Sequence, residues 1–147
     1  MLTLLDHKEI LRCDDYYVRQ LASGLDELIF SISIFDPVYQ YLSEEARIQD
    51  RDGQVYLVKQ IDGGAQSAKV ICSLDLDDWK ASMYVGWGSG SNTLYNVINA
   101  VKPNGWTVVD LSGSTIRRTM SGDFTPFEIV QEAAETFSIY PRWDNKA

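Results

Sequence analysis

The chain has little of several things that mark an active site or a membrane segment: one histidine, two cysteines, and 13 basic residues against 21 acidic ones in 147 residues. A single histidine, His7, excludes multi-histidine metal sites and leaves any catalytic triad dependent on it. It stands between Asp6 and Lys8 near the amino terminus with no GxSxG-type nucleophile motif, so it reads as an exposed bystander. Cys13 and Cys72 have neither CxxC spacing nor a neighbouring histidine, which excludes a zinc or redox motif and predicts buried free thiols. The net charge of -8 and pI near 4.5 argue against sequence-specific or wrapping nucleic-acid binding, which needs cations to displace phosphate counterions. An acidic wall that DNA merely slides past remains compatible with them. No apolar run approaches the roughly 18 residues that cross a bilayer, so no membrane anchor is expected. Met1 to Leu5 are followed by Asp6 and His7, without a basic segment leading a long apolar one, which predicts a soluble chain with no signal peptide.

What is present is ordinary globular material, 45% hydrophobic and 23% charged, enough to build a core. From residue 1 to about 81 the pattern is antiparallel β, strongest in three segments of period two. Leu28, Phe30, Ile32 and Ile34 alternate with Ile29, Ser31 and Ser33, and the run stops at Asp36-Pro37. Val55, Leu57 and Ile61 share one side of the next, with Tyr56, Val58 and Gln60 on the other. Asp52-Gly53 before it favours a type I′ turn, pairing Arg47 to Gln49 with Val55 to Leu57. Val70, Cys72, Leu74 and Leu76 then face inward from a strand entered through Asp62-Gly63-Gly64. Weaker strands are expected at Thr3 to Leu5, Ile10 to Arg12 and Tyr16 to Ala22, while Val38 to Glu45 reads as a short helical turn or an irregular connection. Short strands with frequent turns suggest a small barrel or sandwich, with an up-and-down path as one solution.

Alternation stops near Trp79 to Gly90, where Gly86, Gly88 and Gly90 with Ser89 and Ser91 read as a permissive linker. A domain boundary is placed there, giving domains 1–81 and 82–147. Leu94, Val97, Ile98 and Val101 hold the spacing of one helical face, with Ser91 as candidate N-cap. Trp106 to Leu111 and Ile116 to Met120 read as strands across a turn at Ser112-Gly113. Thr125, Pro126 and Glu128 then spell a capping box, with Ile129, Val130, Ala133, Ala134 and Phe137 on the buried face behind it. Ile139 to Trp143 reads as a returning edge strand. The fold class is therefore α+β: an antiparallel β-barrel-like domain followed by a small α-β-β-α-β domain.

Candidate chemistry is thin. Gly86 to Ser91 leads into a helix whose amides could hold a phosphate, but no GK[ST] follows and no lysine lies in the loop to meet the charge. It supports an alternative reading as a small nucleotide- or phosphate-binding enzyme module. Asp75, Asp77 and Asp78 could bind a hard cation, yet the rest of an EF-hand is missing and a solvated strand end explains them. Asp50 and Asp52 belong to their turn. Trp79, Trp87, Trp106 and Trp143 favour core or interface packing over a sugar platform. A carbohydrate-binding domain using Trp87 or Trp143 is a third reading. Arg117-Arg118 is too small a basic patch for nucleic acid. No catalytic, cofactor-binding or metal residue is assigned.

The strand Leu28 to Ile34, then Asp36-Pro37 and Tyr39, the turn Asp50 to Gly53, and the strands Val55 to Asp62 and Ala68 to Leu76 together resemble the start of one phage tail family. This is the hub and tail-associated endopeptidase group. Ile129 to Phe137 followed by Ile139 to Asp144 is similar to that group's second domain. The resemblance implies a tail-tube-like β-barrel joined to a smaller α+β domain, in a non-enzymatic, prophage-type virion component. It implies assembly as a homotrimer whose paired tube-like domains mimic a six-fold ring. The implied partners are the tail tube, distal tail and baseplate proteins, and the implied locations are the virion tail and, during assembly, the bacterial cytoplasm. A second tube-like domain and any downstream hydrolase fall outside this sequence, so the chain is expected to be a fragment and no catalytic residue is carried over.

Overall fold

A computed structural model describes residues 1–11, 16–21 and 24–146, and it is an α+β fold dominated by antiparallel sheet. The chain divides into two compact units, Met1–Asp75 with Arg142–Ala147, and Leu76–Pro141. The expected limits of 1–81 and 82–147 differ from this division at both ends. Trp79 packs edge-on against Trp106, with ring centroids 5.6 Å apart, and so belongs with the later residues. Asn145 bonds to Val55 and Asp75, and so belongs with the earlier ones.

The first unit is one seven-stranded sheet: β1 (Leu2–Leu4), β2 (Glu9–Leu11), β3 (Tyr16–Arg19), β4 (Glu27–Ser33), β5 (Arg47–Gln49), β6 (Val55–Gly63) and β7 (Ser67–Leu74). The order across it is β2-β1-β5-β6-β7-β4-β3, every neighbouring pair antiparallel. An up-and-down path is ruled out by the β1–β5 and β4–β7 pairings, which join strands distant in sequence.

The order also dictates curvature. Six inter-strand spacings would hold the edges of a flat sheet about 29 Å apart. Yet β2 and β3 are those edges, and the five steps from Leu11 to Tyr16 reach at most about 18 Å. The sheet must curl, and it forms a half-barrel.

Its concave core follows the alternation of the sequence. Leu28, Phe30 and Ile32 of β4 meet Cys72, Val70 and Ala68 of β7 across the ladder, all at most 2% exposed. Tyr56 and Val58 of β6 lie opposite Leu74 and Cys72, and Ile48 and Leu4 continue the same layer. In β6 the expected parity changes partway. A bulge between Val58 and Gln60 leaves Lys59 unmatched, so Tyr56 and Val58 face inward before it and Ile61 pairs with Val70 after it. Val58 also accepts from the Glu45 amide and donates to the Ala46 carbonyl, which holds the bulged strand from its other side.

The β5–β6 hairpin pairs in the expected register, Ile48 with Tyr56, but its turn is not type I′. That type needs positive φ at both central residues, whereas Gly53 has φ 93° and Asp52 is not positive. The Gly53 amide donates to the Asp50 carbonyl, and the Asp50 carboxylate accepts from the amides of Asp52 and Gln54. This is a type I turn closed by a left-handed glycine, stitched by one aspartate. After β4, Asp36 caps a 3-10 turn over Pro37–Tyr41 by accepting from the Val38 amide.

The second unit has the order β8 (Tyr84–Thr93), α1 (Leu94–Val101), β9 (Arg117–Phe124) and α2 (Pro126–Thr136). Gly86 to Ser91 is therefore not a linker. It lies inside β8, where Trp87, Gly88, Gly90 and Ser91 pair with Gly122, Ser121, Met120 and Thr119 of β9. Glycine spacing read as permissive because two register shifts fall here, and Gly86 and Gly90 supply φ 63° and 62° beside them. Thr93, rather than Ser91, caps α1 by accepting from the Asn96 amide, since the strand runs on to Thr93. Leu94, Val97, Ile98 and Val101 are its buried residues. The capping box of α2 forms as expected, with Thr125 and Glu128 exchanging bonds and Ile129, Val130 and Ala133 buried.

Two expected strands are absent. Trp106 to Leu111 has no ladder partner, because β9 pairs with β8 instead. Ile139 to Trp143 also lies outside any strand; Pro141 interrupts it, and side-chain amides rather than a ladder fasten the residues that follow. Among the described residues no helix is long and apolar enough to cross a membrane.

Candidate functional site

The Gly86 to Ser91 segment offers a phosphate no cradle. The Gly86 amide donates to the Asp123 carboxylate at 2.7 Å, so an anion of this chain already holds it. The Ser89 hydroxyl accepts from the Met120 amide and donates to the Gly90 carbonyl. The Gly86 amide and the Ser89 hydroxyl are thus spent on the β8–β9 pair itself. Trp87 stands edge-on to Phe124, centroids 6.4 Å apart, on the same pair of strands.

The acidic residues are likewise structural. Asp75 uses its main chain, donating to the Val55 carbonyl and accepting from the Asn145 side chain, while the Asp78 carboxylate accepts from the Trp106 indole at 3.2 Å. Among the described residues no three His, Cys, Asp or Glu side chains gather as a metal set. Asp50 is buried, 8% exposed, with its carboxylate consumed by the turn. His7 is exposed and stacks on Tyr41 at 4.3 Å. Cys72 is a buried free thiol, and Cys13 lies outside the described residues.

Sequence reasoning passed over one polar cluster. Asn145 accepts from the Val55 amide at 2.9 Å and donates to the carbonyls of Val55 and Asp75 at 2.7 and 3.0 Å. Gln54 answers it, donating to the Trp143 carbonyl and accepting from the Asn145 amide. Two side-chain amides thus imitate a strand pairing and pin the carboxyl-terminal segment to the start of β6. Arg142 adds bonds to the Leu21 carbonyl and the Asp26 carboxylate. No periodicity marks Asn145, so only the bonds themselves reveal its role.

Two buried groups titrate unusually. Burial pushes the Cys72 thiol up to about 12. Burial also raises the Tyr56 phenol, helped by the charges of Asp50, Asp26 and Asp52 and by Tyr16. Both are held neutral in the fold and ionise more readily once unfolded. Stability is therefore fully present below pH 9, the ordinary thiol value, and falls as pH rises from there toward 12. Thermal midpoints measured across that range are expected to drop steadily, and Cys72→Ala is expected to flatten the lower part of the decline.

Among the described residues Val85, Val109, Leu111 and Phe35 are apolar and between 72% and 91% exposed, all on strand ends or connections. No family model and no curated protein matches the chain. Among solved structures, the crystal structure of prophage tail protein gp18 from Listeria monocytogenes EGD-e aligns with 99% of this chain at a TM-score of 0.66 and 16% identity. The two share a fold. The chain spans about half the length of that protein, 48% of it being covered.

Proposed function

We propose that this chain is a non-enzymatic structural component of a phage tail tip or baseplate hub, acting through contacts with copies of itself and with neighbouring tail proteins. The observation that carries the reading is the fold likeness to a prophage tail protein over 99% of the chain, which takes in residues of both compact units. Supporting it, the polar groups that suggested chemistry serve the fold, and exposed apolar side chains remain. The half-barrel has two edges, β2 and β3, that a neighbouring subunit could continue. An acidic surface suits a conduit wall, since it would not retain DNA. The expected partners are the tail tube, distal tail and baseplate proteins, and the expected location is the virion tail after assembly in the bacterial cytoplasm.

Light scattering after size exclusion, on the full parent protein, is expected to give the mass of a trimer. Pull-down with purified tail tubes or baseplates is expected to retain it. A strict monomer that binds neither would overturn the proposal. Titration with nucleotides or glycans, followed by Trp87 fluorescence, is expected to produce no change up to millimolar ligand.

A further inference from the structure

Residues Trp106 to Leu111 combine the properties of a strand with the lack of a partner. Their sequence alternates, and so does their burial: Trp106, Val108 and Asp110 are half-buried while Thr107, Val109 and Leu111 are exposed. Val109 and Leu111 are 72% and 91% exposed. Period-two burial is the signature of extended chain with one covered face, yet no ladder runs through it. Trp106 is anchored at one end by Trp79 and Asp78. At the other, Asp110 accepts from the Ser112 amide, Ser112 from the Ser114 amide and Ser114 from the Ile116 amide. These successive side-chain turns lead the chain into β9 without closing a hairpin onto it.

The same unit contains a sheet short of a strand. β8 and β9 form a sheet of two, and a pair of strands alone is marginal in water. Among the described residues the far edge of β9 makes no main-chain hydrogen bond. That edge begins with Arg117 and Arg118, whose guanidinium groups donate to the carbonyls of Ser91 and Arg117 and form no ion pair among the described residues.

We infer that Thr107 to Leu111 is a donor strand that adds antiparallel to the open edge of β9 in a second copy of this chain. Charge selects the occupant and the register. Asp110 is the donor's one charged residue, and setting it across from Arg118 of the other copy joins it to an arginine lacking a carboxylate. That register puts Val108 across from Met120, on the buried face of β9, and Val109 across from Thr119 on its exposed face. Donor and acceptor are different surfaces, so a head-to-tail contact of this kind is heterologous, and it gives a ring where the rotation between copies closes and a filament where it does not. The inference rests on the proposed self-assembly of the chain, and it names the surface responsible.

A disulfide test separates the outcomes. Tagged Val109→Cys and untagged Thr119→Cys proteins, each also carrying Cys13→Ser, are mixed under mild oxidant and their mass is followed by light scattering. A mixed disulfide between tagged and untagged chains is expected. In a third protein carrying both Val109→Cys and Thr119→Cys, disulfide formed only within one chain would overturn the inference in favour of pairing in cis. An oligomer without the mixed disulfide would overturn it and leave self-assembly standing, whereas a monomer without it would overturn both. Val109→Pro removes a main-chain donor at this exposed, unpaired position and is expected to keep the circular dichroism of the parent while losing the oligomer. An unchanged oligomer in that variant would also overturn the inference.

Discussion

Phe30→Ala is expected to unfold the half-barrel at temperatures where the parent is native. Phe30 is 2% exposed, lies opposite Val70 of β7 and Tyr16 of β3 in the ladders, and is among the largest fully enclosed side chains in the structure. Removing its ring forfeits the transfer of the apolar atoms and leaves a cavity that a curled sheet, bonded on both sides of β4, cannot close. Such truncations cost about 3–5 kcal/mol. Total stabilities of natural domains are about 5–15 kcal/mol, so the loss consumes a large share. For a unit of this size each kcal/mol moves the midpoint by about 4–8 °C, so a fall of at least about 12 °C is expected by calorimetry. Phe35→Ala, at a residue 77% exposed on the turn after β4, should change stability by under about 0.5 kcal/mol. Equal effects from the two would refute the placement of the core.

Asn145→Ala is expected to be the most costly polar substitution. The side chain it removes accepts from the Val55 amide and donates to two carbonyls, Val55 and Asp75, all part-buried. Made hydrogen bonds contribute about 1 kcal/mol each, and a buried group left without a partner costs about 1–3 kcal/mol, so a loss of about 2–4 kcal/mol is expected in urea titrations. Asn145→Asp is the sharper variant. It keeps an acceptor for the Val55 amide but turns a carboxylate oxygen toward two carbonyls, so it should be no better than alanine above neutral pH and partly recover as pH falls and the acid gains a proton. Hydrogen exchange should localise the damage to the Val55 amide and the start of β6. A destabilisation below about 0.5 kcal/mol would show that the carboxyl-terminal clasp contributes nothing.

Local signals in the chain proved reliable wherever the physics is local. The capping box at Thr125 and Glu128, the alternation of Leu28 to Ile32 and of Ala68 to Leu74, and the pairing of Arg47–Gln49 with Val55–Leu57 depend on neighbours a few residues away, and all are present. Gly86 to Ser91 misled because glycine has two meanings. In isolation it relaxes the chain, but with β9 alongside it permits a strand to bulge and a serine to bond across the ladder. The type I′ expectation failed for a related reason: Asp50, two residues before Asp52, competes for the turn amides with its own carboxylate.

The amino-acid sequence by itself determined the composition of the core, the type of most elements, the α+β class and the absence of a recognisable catalytic motif, since each depends on residue chemistry at short range. Tertiary structure alone decided which strands are neighbours: β1 with β5, β4 with β7, and β8 with β9 rather than Trp106–Leu111 with β9. Strand pairing is a contest among many edges of similar hydrogen-bonding capacity, and period-two patterns do not rank the contestants. The same contest left Thr107 to Leu111 with the pattern of a strand and no sheet, and tied Asn145 to a strand about 90 residues earlier. The Gly86 amide and the Asp78 carboxylate were drawn into the same long-range order, one bonded to Asp123 and the other to Trp106.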